Sequence, residues 1–331
     1  MLRVAIIGFG NVGRSLLLEL DRIRDVEVKL AVSSRGYVVV RDQRSYDELL
    51  KLARAGTNLA LHSGFEEERF TPDIAGEHDI DLAFISIPPN YSTGEPNRSI
   101  YYGLVDQGIS IITADKTVLA LEYRDFMEYA WRHRVFVGYR ATVAAGIPVT
   151  DVAHALRNRG VTGVRGILNA TTNYILSLME KGLSYREAVE KAIMDKYAEP
   201  NPQIDTHGYD PAAKLAIILN ILGVPVRLSD ISREPLENIS EEAVRKAIER
   251  NRRIRYVAEA DLENRVFSVK PLELEALSRL ANLPPTHNRV EFYLENDTIA
   301  LEGPAGPAWR TARVMITDLL DYISWRNTKR H

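Results

Sequence analysis

Two side chains that could hold and release a proton stand four residues apart in the second half of the chain. Asp210 and Lys214 share one face at the start of a predicted helix, about Asp210 to Leu222. A lysine beside a carboxylate can act as a general acid or base. The same spacing is also typical of an ordinary helix-stabilising ion pair, worth only ~0.3–0.5 kcal/mol. The pair alone leaves both interpretations open.

Two segments near this pair carry further polar residues. Residues 167–176 read ILNATTNYIL and pass from a predicted strand into a predicted helix. Residues 197–210 carry Tyr197, Glu199 and Asp205 on a proline-containing loop ahead of the helix. These residue types suit a reactive site without naming a reaction.

A glycine-rich turn opens the chain. Residues 8–13 read GFGNVG, directly after a predicted strand and directly before a predicted helix. In such a turn the first glycine allows a sharp bend, the second lets a pyrophosphate approach, and the third lets the helix pack on the strand. The N-terminus of the helix then faces the phosphates. The sequence therefore predicts a dinucleotide site at Gly8, Phe9, Gly10, Asn11, Val12 and Gly13.

The end of the second predicted strand bears on the choice of dinucleotide. An acidic residue about twenty positions after the glycine turn would bind the ribose 2′-hydroxyl of NAD. The chain instead reads Ser33-Ser34-Arg35, with no carboxylate. Hydroxyls and a guanidinium suit a 2′-phosphate, so NADP(H) is favoured over NAD(H), with Ser34 and Arg35 as contacts. The alternative is that Arg35 is a solvated loop residue.

Six segments, taken together, resemble the homoserine dehydrogenases. They occur in the family's order and span essentially the whole chain: GFGNVG at 8–13, ITADKTVLA at 112–120, ATVAAGIPV at 141–149, GILNATTNYIL at 166–176, YAEPNPQIDTHGYDPAAKLAI at 197–217 and GPAGPAWRTA at 303–312. The resemblance implies reversible, NAD(P)-dependent interconversion of L-homoserine and L-aspartate 4-semialdehyde, on the route to threonine and methionine. It also implies a homodimer formed by strands of the second domain.

The resemblance assigns roles to individual residues. The family's proton-transferring lysine corresponds to Lys214, and a second lysine, near nicotinamide and substrate, corresponds to Lys116. Reduction of an aldehyde leaves an alkoxide, and a lysine can supply the proton that it needs. The substrate-binding positions correspond to Glu199, Asp210, Asp205, Tyr197 and Thr171. Lys116 and Gly303 join the expected cofactor-binding residues.

Four positions depart from the family's pattern. Arg140 stands where the family often has a glutamate that helps to hold a monovalent cation, so no metal is expected. Asp115 replaces asparagine in Thr-Ala-Asn-Lys and puts a carboxylate beside Lys116. Lys196 and Ala305 stand in two stretches where the family has glycine, which could alter cofactor packing or affinity. None of the four removes Lys214 or a substrate carboxylate, so activity remains the expectation.

The elements that must position these residues follow from the hydrophobic pattern. The first half alternates short apolar runs with amphipathic stretches, as in a doubly wound parallel sheet. Its polar stretch from Ser33 to Asp81 is predicted to hold one helix, Tyr46 to Ala55. The predicted fold class is α/β, with a Rossmann domain at 1–138 and 305–331 and an α+β catalytic and dimerisation domain at 139–304.

Composition excludes several classes of protein. The chain has 331 residues, 45% hydrophobic and 26% charged, as expected for two globular domains. A net charge of −3 argues against nucleic acid or a membrane as partner and leaves a small-molecule substrate. The absence of cysteine excludes disulfides, thiolate metal sites and a cysteine nucleophile.

The termini carry two further expectations. The opening run MLRVAIIGFG is predicted to be a strand rather than a targeting signal, so a cytoplasmic protein is expected. The length leaves no room for a fused aspartate kinase or a regulatory tail, and no threonine feedback through such a domain is expected. Two alternatives to the main interpretation stay open: a dehydrogenase of another small amino or hydroxy acid, and a nicotinamide-bound sensor without turnover.

Overall fold

A computed structural model describes residues 1–144 and 146–328 of the chain. It has two compact units, Met1–Gly146 with Gly306–His331, and Ile147–Ala305, and each contains its own sheet. Within the described residues, no helix has both the length and the apolar character that a bilayer crossing requires.

The first unit is built on a seven-stranded sheet whose parallel strands are those of a Rossmann fold. The parallel strands run in the order β2-β1-β5-β6-β7, and two antiparallel strands, β3 and β4, extend the β2 edge. Their bounds are β1 Leu2–Ile7, β2 Val26–Ser33, β3 Gly36–Val39, β4 Phe65–Glu66, β5 Leu82–Ile85, β6 Ser110–Thr113 and β7 Val137–Gly138. Because β1, β2, β5 and β6 are parallel, their carboxyl ends share the edge where dinucleotides bind in such sheets.

The helices that follow the strands of this first unit are short and partly buried. They are α1 Asn11–Leu20, α2 Gln43–Ala55, α3 Pro72–Glu77, α4 Asn97–Asp106 and α5 Thr117–Arg132. The prediction for the polar stretch 33–81 was incomplete, since this stretch also forms β3, β4 and α3. The strand β3 reads GYVV, whose tyrosine and valines favour a strand, but it has only four residues and follows the polar residues Ser33-Ser34-Arg35. Asp42 starts α2 three residues earlier than predicted, because its carboxylate accepts a hydrogen bond from the Ser45 N–H at 2.8 Å.

The second unit is an α+β body around a six-stranded sheet of order β13-β12-β8-β10-β11-β9. Its strands are β8 Val161–Ile167, β9 Ser232–Arg233, β10 Arg252–Asp261, β11 Val266–Glu275, β12 His287–Leu294 and β13 Thr298–Pro304. Its helices are α6 Val149–Leu156, α7 Ala170–Met179, α8 Tyr185–Met194, α9 Gln203–Thr206, α10 Tyr209–Ile221 and α11 Glu241–Glu249. The apolar side chains of α10 are buried from Ala212 to Ile221, so this helix is the core element of the unit.

The last helix, α12 (Ala308–Thr328), is part of the first unit. Its Ala312, Met315, Leu319 and Tyr322 lie in the same apolar core as Leu16 of α1. The mixed α/β fold class predicted from the sequence is confirmed by these two sheets and the helices that accompany them.

Candidate cofactor and substrate sites

The glycine turn between β1 and α1 is pressed against its neighbours. The N–H groups of Gly8 and Phe9 both donate to the Val32 carbonyl at 2.9 Å, which ties the turn to the end of β2. Gly8 has a φ of +105°, and a Cβ there would collide with the Ser86 carbonyl. A Cβ on Gly13 would collide with the Gly8 carbonyl. Only glycine fits these two positions.

Gly10 differs from its two companions because the space around it is open. No atom lies within 4 Å of the position that a Cβ on Gly10 would occupy. Gly10 also precedes α1, a ten-residue helix whose N-terminus has no side-chain cap. Open space beside uncapped helical N–H groups fits the pyrophosphate of a dinucleotide. The residues present therefore fit the predicted cofactor.

Ser34 and Arg35 form the tip of a hairpin. Ser33 of β2 pairs with Gly36 of β3, so the two residues between them make a two-residue turn, and both are exposed. The Ser33 hydroxyl donates to the Gly36 carbonyl at 3.1 Å and closes the turn. The hairpin tip directly follows Val32, which binds the glycine turn, so both features lie at the same edge of the sheet.

Lys116 lies immediately before α5, between the buried polar residues Asp115 and Thr117. Asp115, at 2% exposure, accepts hydrogen bonds on Oδ1 from the Thr117 N–H at 3.1 Å and the Thr117 hydroxyl at 2.8 Å. Asn97 donates to the Thr117 hydroxyl at 3.0 Å. Burial raises the pKa of the Asp115 carboxyl above its usual value. These contacts fix the backbone from which the partly exposed Lys116 extends.

The second unit brings four of its polar residues into one cluster. Lys214 Nζ donates to Asp210 Oδ2 at 2.6 Å and to the Leu168 carbonyl at 2.7 Å. The Asn169 amide donates to Asp205 Oδ1 at 2.6 Å and to Asp210 Oδ2 at 2.8 Å. The loop between β8 and α7 supplies Leu168 and Asn169, α9 supplies Asp205, and α10 supplies Asp210 and Lys214.

The two carboxylates of this cluster face a single lysine, and Lys214 contacts Asp210 directly. The pKa of the other acid, Asp205, is shifted. Burial raises the pKa of Asp205 to about 6, and the neighbouring Asp210 charge adds to the shift. The hydrogen bond from Asn169, the charge of Lys214 and the nearby Thr171 hydroxyl act in the opposite direction. Above that pH the cluster carries one negative charge more than Lys214 neutralises, so it favours a cationic group.

The remaining expected site residues lie around or away from this cluster. The Thr171 hydroxyl donates to the Tyr197 carbonyl at 2.8 Å, and the exposed Tyr197 ring lies 4.4 Å from that of Tyr174. Glu199 is exposed on the loop between α8 and α9, outside the hydrogen-bonded cluster. Gly303 lies on the edge strand β13 of the second unit, where it pairs with Asn288.

Comparison with known proteins places the chain among its relatives. The sequence profile of the homoserine dehydrogenase family matches residues 148–320. A homoserine dehydrogenase of Sulfurisphaera tokodaii is 31% identical over 329 residues, covering 96% of this chain and 98% of that protein. The chain belongs to the homoserine dehydrogenase family. The resemblance carried by the six sequence segments is thereby confirmed.

Two further comparisons agree with this homoserine dehydrogenase assignment. An NAD(+)-dependent homoserine dehydrogenase of Pseudomonas canavaninivorans is 27% identical, covering 96% of this chain and 95% of that protein. The solved structure of a candidate homoserine dehydrogenase from Archaeoglobus fulgidus superposes with a TM-score of 0.83 at 28% identity, covering 97% of this chain and 99% of that one.

The structure accounts for Arg140 in this member of the homoserine dehydrogenase family. Its guanidinium contacts Asp318 Oδ1 and Asp321 Oδ2 of α12, both at 2.6 Å. The backbone N–H of Arg140 donates to Asp318 Oδ2 at 3.0 Å. The guanidinium thus lies between two carboxylates of α12 and supplies the positive charge that faces them. Within 1–144 and 146–328, no group of three or more His, Asp or Glu side chains is arranged to hold a metal ion.

Two residues of the candidate sites were missed in the sequence. Arg14, in the first turn of α1, donates to the Asn11 side chain at 2.7 Å and to the Phe9 carbonyl at 3.4 Å, which adds a positive charge beside the glycine turn. Its position four residues after Gly10 was the available signal. Asn169 stands within the motif at 166–176, but its long-range partners gave it no local signature.

Proposed function

We propose that this member of the homoserine dehydrogenase family interconverts L-homoserine and L-aspartate 4-semialdehyde with a nicotinamide cofactor. The cluster of Asn169, Asp205, Asp210 and Lys214 carries the proposal. It combines a lysine that can exchange a proton with a surplus of negative charge suited to the α-ammonium of an amino acid. The family assignment supplies a substrate that requires both features, because L-homoserine has a hydroxyl group that exchanges a proton and an α-ammonium group.

The chain's own residues have distinct roles in the proposed reaction. Lys214 donates a proton from Nζ to the alkoxide oxygen during reduction and recovers it during oxidation. Asp210 and the Leu168 carbonyl orient that Nζ. Asp205 and Asp210, with Glu199, Tyr197 and Thr171 around them, bind the polar groups of the substrate. Lys116 is proposed as a second catalytic lysine that also binds the cofactor.

The cofactor is proposed to lie along the glycine turn. Gly8, Phe9, Gly10, Asn11, Val12 and Gly13 would hold the pyrophosphate, and Gly303 is a further proposed cofactor-binding residue. When bound, the nicotinamide ring supplies or accepts the hydride. The hairpin tip, with Ser34 and Arg35 and no carboxylate, supports a preference for NADP(H). The Pseudomonas relative is named as NAD(+)-dependent, so the test uses both dinucleotides.

The setting of the enzyme is proposed on the same basis. The family assignment supports a role in threonine and methionine biosynthesis. The second-unit sheet, whose edge strands are β9 and β13, supports a homodimer formed by its strands. We also propose a cytoplasmic location and a small-molecule substrate, on the basis of the family assignment.

The experiment that tests this function is a spectrophotometric assay. Purified protein receives L-homoserine with NADP+ or NAD+, and the absorbance of reduced nicotinamide is followed. We expect a homoserine-dependent rise that is faster with NADP+. Parallel reactions with L-serine, L-threonine and 2-hydroxy acids serve as controls. A rise with one of these alone would establish a dehydrogenase of another substrate, and dinucleotide binding without any rise would establish a sensor.

A further inference from the structure

The side chain of Asn169 has a single orientation that satisfies its surroundings. Asn169 precedes α7 and is 5% exposed, and its Oδ1 accepts a hydrogen bond from the Thr172 N–H at 2.9 Å. Because the oxygen is used to cap the helix, the amide nitrogen must point the other way. That nitrogen faces the carboxylates of Asp205 and Asp210.

The amide nitrogen has two hydrogens, and the structure provides one carboxylate for each. The distances are 2.6 Å to Asp205 Oδ1 and 2.8 Å to Asp210 Oδ2. Lys214, by contrast, donates to Asp210 and to the Leu168 carbonyl. In the described hydrogen bonds, Asn169 is thus the donor that Asp205 and Asp210 share. A neutral bridge of this kind binds both acids without cancelling the charge that a cationic substrate requires.

We propose that Asn169 is a positioning residue that fixes the two substrate-binding carboxylates, Asp205 and Asp210, relative to each other and to Lys214. This inference rests on the proposed function, because it gives that site an additional member. Asn169 affects substrate binding through Asp205 and Asp210 rather than by contacting the substrate itself. Its helix cap makes the arrangement rigid, since the donor cannot rotate without breaking the bond to Thr172.

The electrostatic surroundings of Asp205 specify what loss of this bridge does. Asp210 and Lys214 face it from α10, and Asn169 and Thr171 face it from the start of α7. Among these groups, Asp210 raises the pKa of Asp205, whereas the other three lower it. Removal of the Asn169 donor therefore raises the pKa of Asp205, so that Asp205 ionises only at a higher pH.

The test variant is Asn169→Ser, which separates the bridge from the cap. Serine is as good an N-cap as asparagine, so the start of α7 is kept, but it lacks the two amide hydrogens. The matched control is Asn173→Ser on the same helix. Asn173 is 1% exposed and its amide donates to the Pro284 carbonyl at 3.1 Å, away from the cluster. Both variants lose one buried amide.

The first measurement is the carbon-13 titration of the Asp205 carboxyl, assigned with Asp205→Asn. We expect the midpoint in Asn169→Ser to rise by about one pH unit, as for loss of one hydrogen bond to a charged form. The midpoint in Asn173→Ser should stay at the wild-type value. An unchanged midpoint in Asn169→Ser, or an equal rise in both variants, would overturn the proposal.

The second measurement is the pH dependence of the homoserine KM. A one-unit rise from about 6 leaves about one third as much ionised Asp205 at pH 6.5, so KM should rise about threefold there and hardly at all at pH 8.5. A purely structural defect would change KM equally at both pH values and would refute the positioning role. If the serine variant does not fold, Asn169→Thr keeps a capping hydroxyl and lacks the amide hydrogens, without adding a charge beside Asp205. An Asp205 midpoint that does not rise in that variant also overturns the proposal.

The titration and the assay fail independently. The carboxyl titration needs no turnover, so it decides the role of Asn169 toward Asp205 even in a protein that does not act on homoserine. A wild-type protein with no homoserine-dependent rate would refute the proposed function and leave the titration result standing.

Discussion

At the scale of single residues, Lys214 is the proposed proton donor and acceptor of the second unit. Its Nζ is held by one carboxylate and one backbone carbonyl, and its side chain is 13% exposed. An ordinary surface ion pair has no such second anchor. The i, i+4 spacing, which in the sequence was compatible with a simple helix pair, here belongs to a partly buried donor.

We predict that Lys214→Ala lowers kcat by about 10²–10⁴-fold, the range for loss of a general acid or base, while NADPH binding is unchanged. Turnover is measured by nicotinamide absorbance and binding by fluorescence titration. The control is Lys246→Ala, which removes another i, i+4 pair, to Glu242, from an exposed helix. Turnover close to wild type in Lys214→Ala would exclude the assigned role.

At the scale of elements, the β2–β3 hairpin carries the proposed cofactor preference. We predict that Arg35→Ala weakens NADPH binding about 10- to 100-fold, the loss of one charge-assisted contact, and leaves NADH binding nearly unchanged. Arg54→Ala, which removes an exposed pair with Asp21 at the end of α2, is the control. Equal weakening of both dinucleotides would show that Arg35 does not contact a 2′-phosphate.

A second element-scale feature is the attachment of α12 through Arg140. Burial raises the pKa of Asp318, which is 1% exposed, to about 6 although Arg140 acts to lower it. A carboxyl group whose pKa is higher in the folded state contributes stability at low pH. It loses that contribution as the pH rises from the usual carboxyl pKa through about 6. Without Arg140 the folded pKa is higher still, so the loss at high pH is greater.

We therefore predict that Arg140→Ala lowers the free energy of unfolding by about 2–3 kcal/mol at pH 8, somewhat below the range for a fully buried pair because Arg140 is partly exposed. The loss should be smaller at pH 5, where Asp318 is largely protonated. Urea unfolding at both pH values measures it. Arg313→Ala, which removes the exposed pair between α12 and Glu19, should cost less than about 1 kcal/mol at either pH. A loss in Arg140→Ala that is independent of pH would contradict the account.

At the scale of the whole molecule, the second sheet offers open edges. β13 and β9 are its terminal strands, and an unpaired strand edge presents N–H and C=O groups to another chain. We predict a homodimer, with a mass of twice 37.3 kDa by light scattering at micromolar concentration. A mass of one chain throughout that range would refute the dimer.

The local features of this protein were predictable from its sequence. The glycine turn, the individual strand and helix on either side of it, and the shared helical face of Asp210 and Lys214 depend on neighbours within a few residues. Backbone conformation and side-chain periodicity act over that range, so residue type and spacing specify them. Two of the six segments that resemble the family, 8–13 and 197–217, contain the glycine turn and the Asp210 and Lys214 face.

The grouping of distant residues was decided by the tertiary structure alone. Asn169 lies 36 residues from Asp205 and 41 from Asp210, and the Arg140–Asp318 contact spans 178 residues. The turn that makes Ser34 and Arg35 a hairpin tip likewise depends on the pairing of β3 with β2. Such contacts, and the buried charges that raise the pKa of Asp205 and Asp318, arise only when packing brings elements together and excludes water. No local pattern of residues encodes them.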